Sequence, residues 1–297
     1  MPALSERAAA CTTSGRRAVN QDAVLLAELA AGTELIAIAD GMGGHRAGEV
    51  ASQRALEALH AALLTGDDLT TATAAANRAV FDEAAAHPEW RGMGTTLVAI
   101  LRQGGLYSLI NVGDSRAYRI DAGGIEQITR DNSFAAEAMA SGRLTSMEIE
   151  QSPWRSAITR CVGTERELEV DRYGPYDLLE PHTLLLCTDG VHRVLDPEAM
   201  RRLVLDASGP ESAAAAVVHA AYEAGSDDNI SVAVVVYDTM RASASPAATF
   251  PLSVPGRDEA SHPRPPQATR RMWLPALALL TAALMAIAYF ARTLFAH

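Results

Sequence analysis

The sequence predicts an α/β sandwich of about 240 residues, and three observations predict it. Apolar runs of strand length are joined by the glycine pairs Gly104-Gly105 and Gly123-Gly124, which read as hairpin turns in an antiparallel meander. Two alanine-rich stretches carry apolar residues at helical spacing. Aspartates recur beside glycine or small residues where strands begin or end: Asp22, Asp40, Asp114, Asp189 and Asp228.

In chain order, the polar segment Ser14 to Asp22 precedes the apolar run Ala23–Leu29, read as a strand that turns at Ala31-Gly32-Thr33. The run Glu34–Ala39 reads as a buried strand that stops at Asp40. Gly41, Gly43 and Gly44 then let the backbone turn tightly and approach a ligand closely. From Ala47 to Leu64 the apolar residues Ala51, Ala55, Ala58, Leu59, Ala62 and Leu63 predict a helix. After the loop Thr65–Asp68 a second helix runs to about Ala86, stopped by His87-Pro88.

Gly92–Thr96 opens the strand Leu97–Leu101, followed by strands Leu106–Val112 and Ala117–Ile120 joined through Gly113-Asp-Ser-Arg116. Residues Thr129 to Gly163 are weakly periodic and read as a helical and irregular section, a surface subdomain or flap. Thr183–Cys187 is a buried strand ending at Thr188-Asp189-Gly190, a repeat of the Asp-Gly pattern at residues 40–41. A helix from about Pro210 to Ala224 leads through Gly225–Asn229 to the last strand, Ile230–Tyr237.

Residues 1–238 form the folded domain on this reading. Residues 239–271, rich in Ser, Pro and Ala, read as a disordered linker. The uncharged run Leu274–Ala291 follows Arg270 and Arg271 and predicts a transmembrane anchor over 272–293, close to the roughly 20 apolar residues a bilayer requires. Arginines on its N-terminal side predict a single-pass protein of the inner membrane with the folded part in the cytoplasm.

Composition excludes several chemistries. The basic side chains are all arginine, so neither a P-loop GK[ST] signature nor a Schiff-base lysine is available. The net charge is −11, and only Asp258 and Glu259 of the acids lie beyond residue 238, so the folded part is strongly acidic. That argues against nucleic acid as a ligand and suits divalent cations. Cys11, Cys161 and Cys187 have neither metal-type nor disulfide-type spacing.

Aspartates at strand ends are hard oxygen ligands, suited to Mg²⁺ or Mn²⁺ over Zn²⁺ or Cu²⁺. Carboxylates that converge repel one another, and bound metal relieves that repulsion. Taken together, Arg17-Ala-Val-Asn-Gln-Asp22, Ala39-Asp-Gly-Met-Gly-Gly-His45, Gly92-Met-Gly-Thr-Thr96, Asn111-Val-Gly-Asp-Ser-Arg116, Cys187-Thr-Asp-Gly190 and Asp228-Asn229 resemble the bacterial members of the PP2C family of metal-dependent Ser/Thr protein phosphatases. The pieces occur in the family's order across about residues 8–238.

The resemblance implies a four-layer αββα sandwich with a dimetal site at one end. It also implies hydrolysis of phosphoserine and phosphothreonine in proteins by a metal-bridging hydroxide, without a phosphoenzyme, opposing a bacterial Ser/Thr kinase. Asp40 matches the aspartate that bridges two Mn²⁺ or Mg²⁺ ions, with the Gly41 carbonyl as a further ligand. Asp189 and Asp228 match the other ligands of the first ion, and Asp22 the acid that holds the second through water. Asp114 matches a residue that helps hold a third ion in bacterial relatives, and Arg17 the arginine that clamps the substrate phosphate. Asn229 matches a residue that supports its neighbouring ligand.

Two positions depart from the pattern. Gln21 stands where members often carry Glu, and Met42 where eukaryotic members have a histidine proposed as general acid. His45 is a candidate replacement for that acid, weighed against a solvated loop histidine. Gly92, Gly94, Thr95 and Thr96 read as backbone geometry and packing beneath the site. His60, His87, His182, His192 and His219 read as surface or packing residues. The competing readings are a catalytically silent relative acting as a membrane-bound regulatory module, and a nucleotidyl hydrolase, which the absence of a glycine-rich nucleotide loop disfavours.

Overall fold

The computed structural model describes residues 3–237 apart from 31 and 45, so His45, the linker 239–271 and the anchor 272–293 lie outside the described residues. The strands are β1 (Ala8–Thr13), β2 (Asp22–Ala30), β3 (Thr33–Met42), β4 (Gly94–Thr95), β5 (Leu97–Gln103), β6 (Leu106–Val112), β7 (Arg116–Asp121), β8 (Gly124–Gln127), β9 (Asp171–Asp177), β10 (His182–Cys187) and β11 (Ile230–Tyr237). The helices are α1 (Leu4–Arg7), α2 (Ala47–Leu64), α3 (Leu69–Ala86), α4 (Phe134–Ala140), α5 (Ser146–Glu150), α6 (Asp189–His192), α7 (Pro197–Leu205) and α8 (Pro210–Glu223).

Two antiparallel sheets result, one in the order β1-β11-β10-β7-β8, the other in the order β2-β3-β5-β6-β9 with β4 paired to β3. The strands alternate their side chains between two apolar layers, as a strand buried on both faces must. In β3, Ile36 and Ile38 face the opposite sheet and pack with Val98, Ile100, Leu184, Leu186 and Val235. Leu35, Ala37 and Ala39 face outward onto α2 and α3, where alanines such as Ala51, Ala55 and Ala76 let helix and sheet approach closely. On the far side Leu185, Cys187, Val232 and Val234 pack against Met200, Val204 and Val217 of α7 and α8. The helix–sheet–sheet–helix layering expected from the sequence is present.

Local signals account for the helix ends. Asp68 caps α3 by accepting from the backbone N–H groups of Thr70 and Thr71. Asp196 caps α7 from the side chain and Pro197 fills its first position.

One expectation is corrected. The strand at residues 34–39 does not stop at Asp40 but continues to Met42, because Gly41 and Met42 pair with Thr95 and Gly94. Gly41 also has a packing role in the fold itself. A Cβ there would lie 2.0 Å from the Gly48 carbonyl oxygen and 2.6 Å from that of Gln21, so its glycine lets three backbone segments meet.

At the other end of the sheets lies a buried ionic group. Arg102 binds Glu34 through two parallel bonds, Nε to Oε2 at 2.8 Å and Nη2 to Oε1 at 2.9 Å, and Arg7 pairs with the same carboxylate. All three side chains are at most 6% exposed. Glu34→Ala leaves two buried guanidiniums without their counter-ion, and the expected cost is about 3–5 kcal/mol. Urea unfolding checks this, and an unchanged midpoint would remove the triad from the account of stability.

Candidate active site

Both sheets end at a cluster of five aspartates. Asp22 begins β2 and sits directly across from Asp40 of β3 in the antiparallel register. Asp114 lies in the turn between β6 and β7, Asp189 opens α6 after β10, and Asp228 precedes β11. Each comes from the end of a different sheet element, which is why their sequence separations are large.

The protein clamps each carboxylate or its backbone. Asp40 N–H donates to Thr96 Oγ1 at 2.9 Å, and the Asp40 carbonyl accepts from Thr96 N–H at 2.9 Å and from the Thr95 hydroxyl at 2.9 Å. The Gly92–Thr96 segment thus does fix backbone geometry beneath the site. Asp22 Oδ2 accepts from the hydroxyls of Thr188 at 2.9 Å and Ser231 at 2.6 Å, both on the opposite sheet's side. Asn229 accepts from Gln21 N–H at 2.8 Å and donates to the Ser14 and Val19 carbonyls, while its own N–H binds Asp228 Oδ1 at 2.8 Å. It therefore ties the loop bearing Arg17 to Asp228. Arg17 donates from Nη2 to Asp228 Oδ2 at 3.0 Å and from Nε to the Asp227 carbonyl at 2.7 Å, and its side chain is 52% exposed.

Sequence reasoning missed Arg193. Its Nη2 lies 2.6 Å from Asp189 Oδ2 and 3.3 Å from Asp114 Oδ2. The only signal available was the four-residue spacing from Asp189, which places both on one helical face. His192, read as a surface or packing residue, holds the Asp114 turn, for its Nε2 donates to the Asp114 carbonyl at 2.9 Å. Burial pushes that imidazole down to about 4, so it is neutral near pH 7.

The electrostatics follow from burial of like charges. Asp22, Asp114 and Asp189 are each at most 8% exposed. Burial, reinforced by Asp189 and Asp228 and opposed by the two hydroxyls, pushes Asp22 up to about 7. Burial and the charges of Asp22, Asp189, Asp114 and Asp228 hold Asp40 well above the usual carboxylate range. Burial also raises Asp114, to about 6, and Asp189, with Arg193 opposing both.

Asp22 Oδ1, Asp114 Oδ1 and Asp189 Oδ1 are buried oxygens without a hydrogen-bond partner. As they stand, no three acidic, His or Cys side chains among the described residues meet closely enough to grip one ion. The carboxylate of Asp22 is instead turned toward two hydroxyls, and those of Asp114, Asp189 and Asp228 toward a guanidinium. Oxygen-only donors with unpartnered lone pairs and mutually raised pKa values fit hard divalent cations.

The raised pKa values set a pH dependence. In the folded state these acids bind protons up to higher pH than in the unfolded chain, so metal-free stability falls as pH rises from about 4 to about 7. Thermal unfolding in EDTA should show the midpoint dropping across that window, and Mn²⁺ should flatten the slope. A flat profile in EDTA would contradict the assignment.

Comparison with known proteins bears on the same region. Residues 12–220 match the protein phosphatase 2C family. The serine/threonine protein phosphatase PstP of Mycobacterium tuberculosis is 37% identical over 237 residues, covering 73% of this chain and 42% of that protein, so the chain spans less than half the length of that relative. The serine/threonine phosphatase stp of Listeria welshimeri is 31% identical over 218 residues, covering 70% of this chain and 86% of its own. The crystal structure of the catalytic domain of PstP in complex with two manganese ions has a TM-score of 0.66 at 33% identity, covering 78% of this chain and 98% of that one. The family match includes the strand ends that carry Asp22, Asp40, Asp114 and Asp189, and the chain belongs to the protein phosphatase 2C family of serine/threonine protein phosphatases.

Proposed function

We propose that this chain hydrolyses phosphoserine and phosphothreonine in proteins, using two Mn²⁺ or Mg²⁺ ions held by its aspartate cluster. The observation that carries the reading is the convergence of Asp22, Asp40, Asp114, Asp189 and Asp228 beside an accessible Arg17. Asp40 would serve both ions, with the Gly41 carbonyl as a further ligand, Asp189 and Asp228 the first, and Asp22 the second through water. Bound there, the ions supply an acidified water and charge stabilisation on the attacking and leaving oxygens.

The protein's own groups do the rest. Thr95 and Thr96 hold the Asp40 backbone, and the hydroxyls of Thr188 and Ser231 orient Asp22. Arg17 is half exposed with a fork of donors suited to a phosphate dianion, and exchange of Asp228 for substrate would leave its position on the Asp227 carbonyl intact. A cysteinyl phosphoenzyme is disfavoured, since Cys187 is fully buried and burial pushes its thiol up to about 12. Met42 carries no proton and the His192 N–H is committed to the Asp114 carbonyl, so neither of these two supplies the leaving alkoxide's proton.

We extend the reading to place and partner. The domain 1–238 would be held by the linker 239–271 and the apolar run within 272–293 at the cytoplasmic face of the inner membrane, with phosphorylated proteins and a Ser/Thr kinase there as partners. Among the described residues no helix is long and apolar enough to cross a membrane, so this part rests on the sequence.

Phosphate release from a phosphothreonine peptide tests the activity. Turnover should require Mn²⁺ or Mg²⁺, cease in EDTA and be abolished by Asp40→Asn. Metal binding without turnover would move the weight to a silent regulatory module. Arg17→Ala should raise KM about 10- to 100-fold with a smaller change in kcat, since a charge-assisted phosphate contact acts in ground and transition states alike. A kcat loss at constant KM would contradict that role.

A further inference from the structure

The Asp114 side of the cluster is organised around a positive group of the protein's own. Asp189 opens α6 and Arg193 follows its last residue, one turn on, with Nη2 at 2.6 Å from Asp189 Oδ2 and 3.3 Å from Asp114 Oδ2. The preceding residue secures the same turn, because the Asp114 carbonyl can only accept, so His192 Nε2 carries the proton that joins them at 2.9 Å. Two consecutive side chains, His192 at the end of α6 and Arg193 directly after it, thus dock the turn between β6 and β7 and bring two buried carboxylates to one guanidinium.

We propose that the Arg193 guanidinium stands where a third divalent cation would otherwise be held between Asp114 and Asp189, so that this enzyme works with two ions and a built-in positive charge. The proposal rests on the two-ion reading above. A cation on either Oδ2 would sit within contact distance of a guanidinium that does not lose its proton in proteins, and the two like charges would repel. The donor set expected to support a third ion therefore does not fit one here. Asp114 Oδ1 and Asp189 Oδ1 are already buried without partners, so removing the guanidinium would free both Oδ2 atoms beside them and complete a cation site. A fixed charge also differs from an exchangeable one, for it makes this part of the site independent of the metal supply.

Equilibrium dialysis of the full chain against Mn²⁺, up to concentrations that saturate turnover, tests this. Wild type and Arg193→Lys should each bind two ions per chain. Arg193→Gln should bind three and gain a weaker second phase in its Mn²⁺ activation curve, and adding Asp114→Asn should return the count to two. Three ions in wild type would overturn the proposal, as would two in a folded Arg193→Gln variant. If that variant does not fold, the wild-type count still decides. No binding by wild type would sink the metal-dependent reading itself, and with it this one.

Discussion

Repulsion among carboxylates held together out of water is the constraint on which the rest of this structure depends. Asp22 and Asp40 face each other across a strand pair, and Asp114 and Asp189 approach the same space from other elements. Each would be more stable exposed, and burial raises the pKa of all four. Such a cluster persists only where surrounding packing over-determines it. The matching donors are in place: two threonines on the Asp40 backbone, two hydroxyls on Asp22, Asn229 beside Asp228, and Arg193 on the remaining pair.

The sandwich supplies that over-determination. The layer of Ile36, Ile38, Val98, Ile100, Leu184, Leu186 and Val235 locks the sheets face to face. Asp22 belongs to one sheet and its hydroxyl donors to the end of β10 and to β11 in the other, so side-chain bonds cross between sheets where the apolar layer ends. Sliding one sheet over the other would break the apolar layer and strand Asp22 at once. The cluster's members sit at element ends, where packing limits their movement to less than a loop would allow.

How much could be read beforehand depended on whether the signal was local. The helices over Ala47–Leu64 and Leu69–Ala86, and the strands from Leu97 to Ile120, announce themselves through periodicity, capping and glycine-pair turns. The aspartates were legible because an Asp-Gly step at the end of an apolar run is a local pattern. The edge strand β9, Asp171–Asp177, was not, since its side chains are largely exposed and its sequence polar. Nor was β1, whose Ala-Ala-Ala-Cys-Thr-Thr has too little contrast to show a period. Strand β3 runs past Asp40 because Gly94 and Thr95, more than fifty residues away, pair with it. Arg193 was missed for the same reason, as its meeting with Asp114 is made by the fold and no spacing encodes it.

Charge balance connects the cluster to its substrate class. Five carboxylates against Arg17 and Arg193 leave the site strongly negative, and the folded part around it is acidic as well. A phosphate dianion brought to such a surface is repelled, and an arginine on the rim cannot by itself reverse that sign. Two divalent cations more than offset the remaining negative charge, and the site then attracts what it previously excluded. Cation binding and phosphate binding are therefore one electrostatic event in this architecture. Because every fixed positive charge here is an arginine, whose protonation does not change near neutrality, the balance is set by ion occupancy and by the carboxylates' own titration, and not by the basic groups around them.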